Sequence, residues 1–278
     1  MFLQKTQHLQ WIDRFTPMVV LFLLALTQPA YAHDPIFGLG PHVLYKGGVE
    51  LALHTQRAKQ GNDNETEVSV EAVYGITGDW LAGVELPYVK ESNKDEQVSG
   101  IGDAMIFSKY RFWRQDSLGL QQSAALAIRL KPDSGANELT TDTTDAIVGL
   151  TYGYESIKWY RWISARYRVN GKNSQELRRG NTLLLDFVGG WRPRSPEYYQ
   201  PDTVWLLELN GELTAKATRS GSTLDNTGGN RWFLSPGIFW TMRNFAIKAG
   251  IQVPISHDLN GNQDKTDYRA SLAFEWHL

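Results

Sequence analysis

The chain has 278 residues, with 28 Lys and Arg against 30 Asp and Glu, and no cysteine. A net charge of -2 leaves no basic footprint for nucleic acid, and without cysteine an exported form must hold together without disulfides. Mean hydropathy is -0.37, yet Trp and Tyr number 10 and 12, a pairing that suits a barrel with wet lumen and loops and an aromatic lipid belt.

Lys5 and Arg14 flank the start of the chain, and Met18–Leu26 is a short apolar run followed by Ala30-Tyr31-Ala32. The run is too short for a bilayer-spanning helix, and the small-x-small triplet fits a cleavage rule, so residues 1–32 read as a secretory signal peptide. Residues 33–44 follow as a Gly- and Pro-rich lead-in, expected to lie in the periplasm. Residues 45–278 contain no linker and read as one domain.

Across that domain the 3.6-residue period is nearly absent and a two-residue period recurs, the signal of strands. Val68, Val70, Ala72 and Tyr74 alternate with Glu67, Ser69 and Glu71. Ala82, Val84, Leu86 and Tyr88 alternate with Gly83, Glu85 and Pro87; Leu126, Ile128 and Leu130 with Ala127, Arg129 and Lys131. Later, Ile163, Ala165, Tyr167 and Val169 oppose Ser164, Arg166, Arg168 and Asn170, and Phe245, Ile247, Ala249, Ile251 and Val253 oppose Ala246, Lys248, Gly250 and Gln252. The last stretch sets Tyr268, Ala270, Leu272, Phe274, Trp276 and Leu278 against Arg269, Ser271, Ala273, Glu275 and His277. An aromatic-rich apolar face on a terminal strand is what a lipid-facing stave requires.

Such segments number about twelve, an even count as bacterial barrels have. Short connections are expected at Thr77–Asp79, Gln115–Gly119, Ser156–Lys158 and Met242–Asn244, with Arg194–Asp202 a Pro-rich exception on the same side. Longer polar ones are expected at Lys59–Glu65, Glu91–Ser99, Asp133–Thr141, Gly171–Gly180, Arg219–Asn230 and His257–Lys265. Short turns face the periplasm and long loops the exterior, which puts both termini in the periplasm. Aromatics flank the short turns (Tyr74 and Trp80, Phe112 and Trp113, Tyr154 and Trp159, Trp240 and Phe245), as in an interfacial girdle. The expected fold is therefore all-β, a transmembrane antiparallel β-barrel in the bacterial outer membrane. Its expected partners are outer-membrane lipid and lipopolysaccharide, the barrel-assembly machinery through the C-terminal strand, and a small-molecule solute.

On this register the lumen carries Glu71, Glu85, Asp103, Lys109, Arg111, Arg129, Asp145, Arg166, Arg168, Asp186, Glu208, Glu212, Lys248, Arg269 and Glu275, with Glu50, His54, Glu67, Arg192 and Lys216 beside them. Two readings stand: a paired network filling a narrow interior, or a polar conduit. A barrel of about eight strands is filled by its own side chains and one of about sixteen leaves a channel, so twelve lies between. The balanced signs argue against strong single-sign selectivity.

Gly100-Ile-Gly-Asp103 followed by Lys109-Tyr-Arg-Phe112 resembles a segment shared by outer-membrane proteins associated with the meta-pathway of phenol degradation. Gly83-Val-Glu-Leu-Pro-Tyr88 is similar to that family's preceding strand, and Val253-Pro254 and the aromatic-rich end also fit. The resemblance implies a barrel that helps hydrophobic or aromatic compounds cross the membrane. It implies no catalytic or binding residues and no cofactor. The Gly-x-Gly-Asp step is not a nucleotide loop, since no helix follows.

Two other functions are open to the sequence. If cleavage follows Ala32, the α-amino group and imidazole of His33 form a chelate for Cu(II), and His42 supplies a further nitrogen. An enzyme such as a lipid-modifying barrel needs a base within reach of a nucleophile. No His-x-Ser pair or Gly-x-Ser-x-Gly elbow is present, and Ser256 and His257 point to opposite faces if extended. The sequence is therefore read as a non-enzyme.

Overall fold

The computed structural model describes residues 34–136, 139–194 and 200–278. The expected signal peptide, and with it His33, lies outside the described residues. The strands are β1 (Val49–Gln60), β2 (Asp63–Thr77), β3 (Trp80–Ser92), β4 (Gln97–Ile101), β5 (Met105–Ser117), β6 (Leu120–Lys131), β7 (Asp145–Ser156), β8 (Trp159–Val169), β9 (Leu177–Arg178), β10 (Thr182–Trp191), β11 (Asp202–Thr214), β12 (Thr218–Arg219), β13 (Ser222–Thr223), β14 (Gly229–Met242), β15 (Phe245–Leu259) and β16 (Thr266–His277). Twelve of them close a ring in the order β2-β1-β16-β15-β14-β11-β10-β8-β7-β6-β5-β3, with β3 returning to β2. Every pairing is antiparallel, including the seam between the first and last strands, where Glu50 faces His277 and Leu53 faces Phe274. The short strands β4, β9, β12 and β13 belong to the long-loop end.

The alternation predicts the faces correctly. Val70, Leu86, Ile106, Leu150, Trp205 and Phe274 project outward and exposed, whereas Ser69, Glu85, Lys109, Thr151, Glu208 and Glu275, at positions of the opposite parity on the same strands, are buried inside. In a bilayer the outward set forms the apolar belt. At the short-turn end, Trp159, Trp191 and Trp205 sit side by side in register on β8, β10 and β11. Phe245 packs beside both Trp240 and Trp276. This is the girdle expected from the sequence.

Two outer connections are shorter than the polar composition suggests. Lys59–Glu65 is not a long loop: β1 and β2 run on to a two-residue turn at Gly61 and Asn62, with Gly61 at φ 59. Glu91–Ser99 is largely strand as well, since β4 folds back on β3. Both sheets extend past the apolar belt, where polar residues suit a strand as well as a loop.

Candidate functional site: a lumen crossed by the N-terminal segment

The lead-in does not lie in the periplasm. Asp34–Leu44 enters the barrel and crosses its interior. Glu208, fully buried on β11, accepts hydrogen bonds from the backbone N–H of Ile36 at 2.7 Å, Gly38 at 3.0 Å and Phe37 at 3.3 Å. Three consecutive amides converging on one carboxylate form an anion-binding nest. Other backbone groups of the segment also find partners in the wall, as buried backbone tends to. Arg166 donates to the Phe37 carbonyl at 2.9 Å, and Thr151 donates to the Leu39 carbonyl at 2.7 Å.

Inward glycines make the room. A Cβ on Gly149 would stand 2.9 Å from Leu39, one on Gly153 2.7 Å from Pro41, and one on Gly250 3.1 Å from both Ile36 and Phe37. A Cβ on Gly237 would collide with Ile36. The wall is hollowed where the segment docks.

Polar clamps hold the two ends of the segment together. Lys109 donates to Asp34 at 2.5 Å. His42 lies with Nδ1 3.3 Å from Asp34 and Nε2 3.0 Å from Glu155. Glu155 also accepts from the Trp162 indole at 2.7 Å. Burial alone would depress the imidazole, but the Glu155 and Asp34 carboxylates win and push its pKa up to about 9. Burial would likewise raise the Asp34 carboxyl, but Lys109 and His42 hold it well below the usual range. At neutral pH, His42 is then an imidazolium donating from both nitrogens. In that form it presents no lone pair to a metal; its expected metal partner, His33, lies outside the described residues.

The segment fills part of the interior. Toward the short turns, Ile36 packs on a buried apolar cluster of Tyr160, Trp162, Val188, Val204, Leu206 and Phe239. Nearby, Leu44 joins Val73 and Leu81. A polar cavity of about 1360 Å³ runs from Asn64, Asn93 and Gly228 at the outer loops past Asp34–Leu39 and down to Leu44, Val73 and Leu81. Its charges are unevenly spread. Glu65, Glu67 and Glu71 on β2 and Glu85 and Glu91 on β3 make one side acidic, while Arg166 and Arg168 on β8, Arg179, Arg231 on β14 and Arg269 on β16 stand elsewhere around the ring with Asp186 and Glu212 among them. Arg129 stands 3.9 Å from both Glu71 and Glu85 and over the Phe107 ring.

Most sequence-predicted lumen residues line this cavity: Glu71, Glu85, Lys109, Arg129, Arg166, Arg168, Asp186, Glu212, Lys248, Arg269 and Glu275. Several are paired across strands, with Arg269 to Glu212 at 2.5 Å, Arg166 to Asp186 at 2.8 Å and Lys248 to Glu275 at 2.6 Å. Five predicted residues do other work. Asp103 binds Lys131 at 2.5 Å and the amides of Ser134 and Gly135, tying down an outer loop. Asp145 does the same through Arg179 and the Gly171 amide. Arg111 caps a short turn through Asp79 at 2.8 Å and the Gly78 carbonyl. Glu208 is sealed beneath the lead-in. Lys216 lies in an outer loop, paired to Asp225. The lead-in's role, and the acids and glycines that receive it, escape the sequence reading.

A closed ring of twelve antiparallel strands with an apolar outer belt and a charged interior defines a bacterial outer-membrane β-barrel. Residues 32–204 match the family described as "Putative MetA-pathway of phenol degradation". That is more than half of the chain, and the chain belongs to this family. Its structure is similar to an outer membrane channel from Pseudomonas putida F1, with a TM-score of 0.70 at 12% identity, covering 89% of this chain and 100% of that one. It is also similar to the NanC porin, with a TM-score of 0.50 at 12% identity, covering 82% and 100%. At such identities the likeness is one of fold. No curated protein sequence matches the chain.

Proposed function

We propose that this barrel is a passive outer-membrane channel for small solutes, whose conductance is set by the N-terminal segment seated across its lumen. The observation that carries this reading is the Glu208 nest beneath an outward-facing polar cavity. A barrel sealed only for strength needs no charged vestibule, and an open pore needs no docked segment. The acidic side on β2 and β3 and the arginines around the rest of the vestibule give it an uneven field, which orients a dipolar or anionic solute. Phe37 and Phe107 on its lining add apolar contact. The chemistry suits small aromatic compounds bearing an acidic group, in keeping with a family tied to phenol degradation. A purely apolar solute is disfavoured, because it would desolvate these charges. Lipid and lipopolysaccharide would surround the belt, and the assembly machinery would read β16.

The test compares the full mature chain with a variant lacking residues 34–42 in planar bilayers and in proteoliposome uptake of benzoate, aniline and benzene-sized neutral probes. The expected result is small conductance in the parent, large conductance in the deletion, and faster uptake of benzoate than of the neutral probe. No current and no uptake in either protein, with both barrels folded, overturns the channel reading.

A further inference from the structure

At the seam where the barrel closes, Glu50 on β1 and Glu275 and His277 on β16 point inward together. One ligand atom from each lies within 4.8 Å of the others. The placement follows from register: Glu50 pairs directly with His277, and Glu275 is two residues back on the same face. Glu50 and Glu275 are buried, and His277 nearly so. Lys248 takes one oxygen of Glu275 at 2.6 Å, but the other, Oε2, is buried with no hydrogen-bond partner. His277 Nδ1 sits 3.1 Å from Glu50 Oε2, yet it too makes no hydrogen bond of acceptable geometry. A carboxylate oxygen and an imidazole nitrogen are thus both left without a hydrogen bond at the seam.

Unpaired buried polar atoms are costly, and a cation would satisfy both. The spacing fits. Zinc-class bonds of about 2.0–2.1 Å in a tetrahedron put neighbouring donors about 3.3 Å apart, close to the 3.1 Å between His277 and Glu50. One imidazole with two carboxylates suits a borderline dication such as Zn(II) or Co(II) better than Ca(II), which prefers an all-oxygen sphere.

We infer that Glu50, Glu275 and His277 form a transition-metal site that clips the first strand of the barrel to the last. It holds one dication through one nitrogen and two carboxylate oxygens, leaving a position to water. Binding the folded barrel only, the metal stabilises it by mass action.

The test uses the untagged mature protein folded in detergent and stripped with chelator. Co(II) is titrated in while its visible absorption is followed, and Zn(II) is titrated by calorimetry. One equivalent is expected to bind, and the temperature at which the compact gel band converts to the unfolded one should rise. His277→Ala should weaken Co(II) binding by about 100-fold or more, since even outer-shell changes cost about 10–100-fold. His257→Ala, in an outer extension, should leave it unchanged. If His277→Ala fails to fold, Glu50→Gln on the opposite strand should produce the same loss. Absence of stoichiometric binding, or binding that survives both Glu50→Gln and His277→Ala, overturns the site.

Discussion

Glu208→Gln keeps the shape of the side chain and removes its charge, which makes it the sharpest probe of the seated segment. If the glutamine carbonyl keeps the Ile36 amide, its NH2 must face the amides of Gly38 and Phe37, donor against donor. A hydrogen bond to a charged acceptor contributes about 1.5–3 kcal/mol. Losing the Gly38 bond outright and weakening the others therefore costs about 3 kcal/mol. At 1.4 kcal/mol per decade, that moves the balance between seated and released segment by about 100-fold. Two assays read the shift. In planar bilayers the frequency of open events should rise by that order. Because the chain has no cysteine, a single Leu39→Cys reporter gives a maleimide labelling rate that tracks release, and it should rise in parallel. If Glu208→Gln leaves both rates unchanged in a barrel that still shows the heat-dependent gel shift, the nest does not hold the segment and the reasoning fails.

Three further outcomes follow from the same geometry. His42 is raised from about 6.5 to about 9, so its stabilisation of the docked segment is complete below about pH 6.5 and is lost as pH climbs through about 9. Open-event frequency should therefore increase between neutral and alkaline pH, and His42→Gln should flatten that dependence. Gly237→Leu forces a side chain into the space of Ile36 and should mimic Glu208→Gln in labelling, while the same change at Gly78, which has open space around it, should not. Arg129→Ala leaves Glu71 and Glu85 without their nearby guanidinium. Reversal potentials should then shift toward cations, with a permeability ratio raised about two- to fivefold at low salt and less at 1 M, where screening falls to about 3 Å.

The wall of the barrel was legible because lipid and water enforce opposite chemistry on alternate residues, so pairs such as Val70 and Glu71 declare their faces. The closing strand, the girdle around Trp159 and Trp205, and most lumen charges follow from that rule alone. What fills the lumen was not legible, since an inward residue reads as polar or small whether it meets water or another segment. The signals existed in two forms. Near the short turns, Trp159–Ile163 and Val204–Leu207 carry large apolar side chains on both faces, which a water-filled interior does not call for. Gly149, Gly153, Gly237 and Gly250 all fall on inward positions, a pattern that makes sense only once Leu39, Pro41 and Ile36 are seen against them. The anchoring contacts of Asp103 and Arg111 were not legible for a simpler reason: direction along a strand does not tell a conduit residue from one that anchors a loop or a turn.

The bond from Ile36 to Glu208 spans 172 positions of sequence, and this constrains the order in which the molecule is built. The segment is made before any stave, yet its berth is shared among β7, β8, β11, β14 and β15. It cannot settle until those strands have paired, and once β16 has joined β1 it can enter only through an end of a closed cylinder. Contacts this distant in sequence form late and slowly. The seat of the N-terminal segment is therefore among the last parts of the molecule to be completed, although the segment itself is the first part to be made.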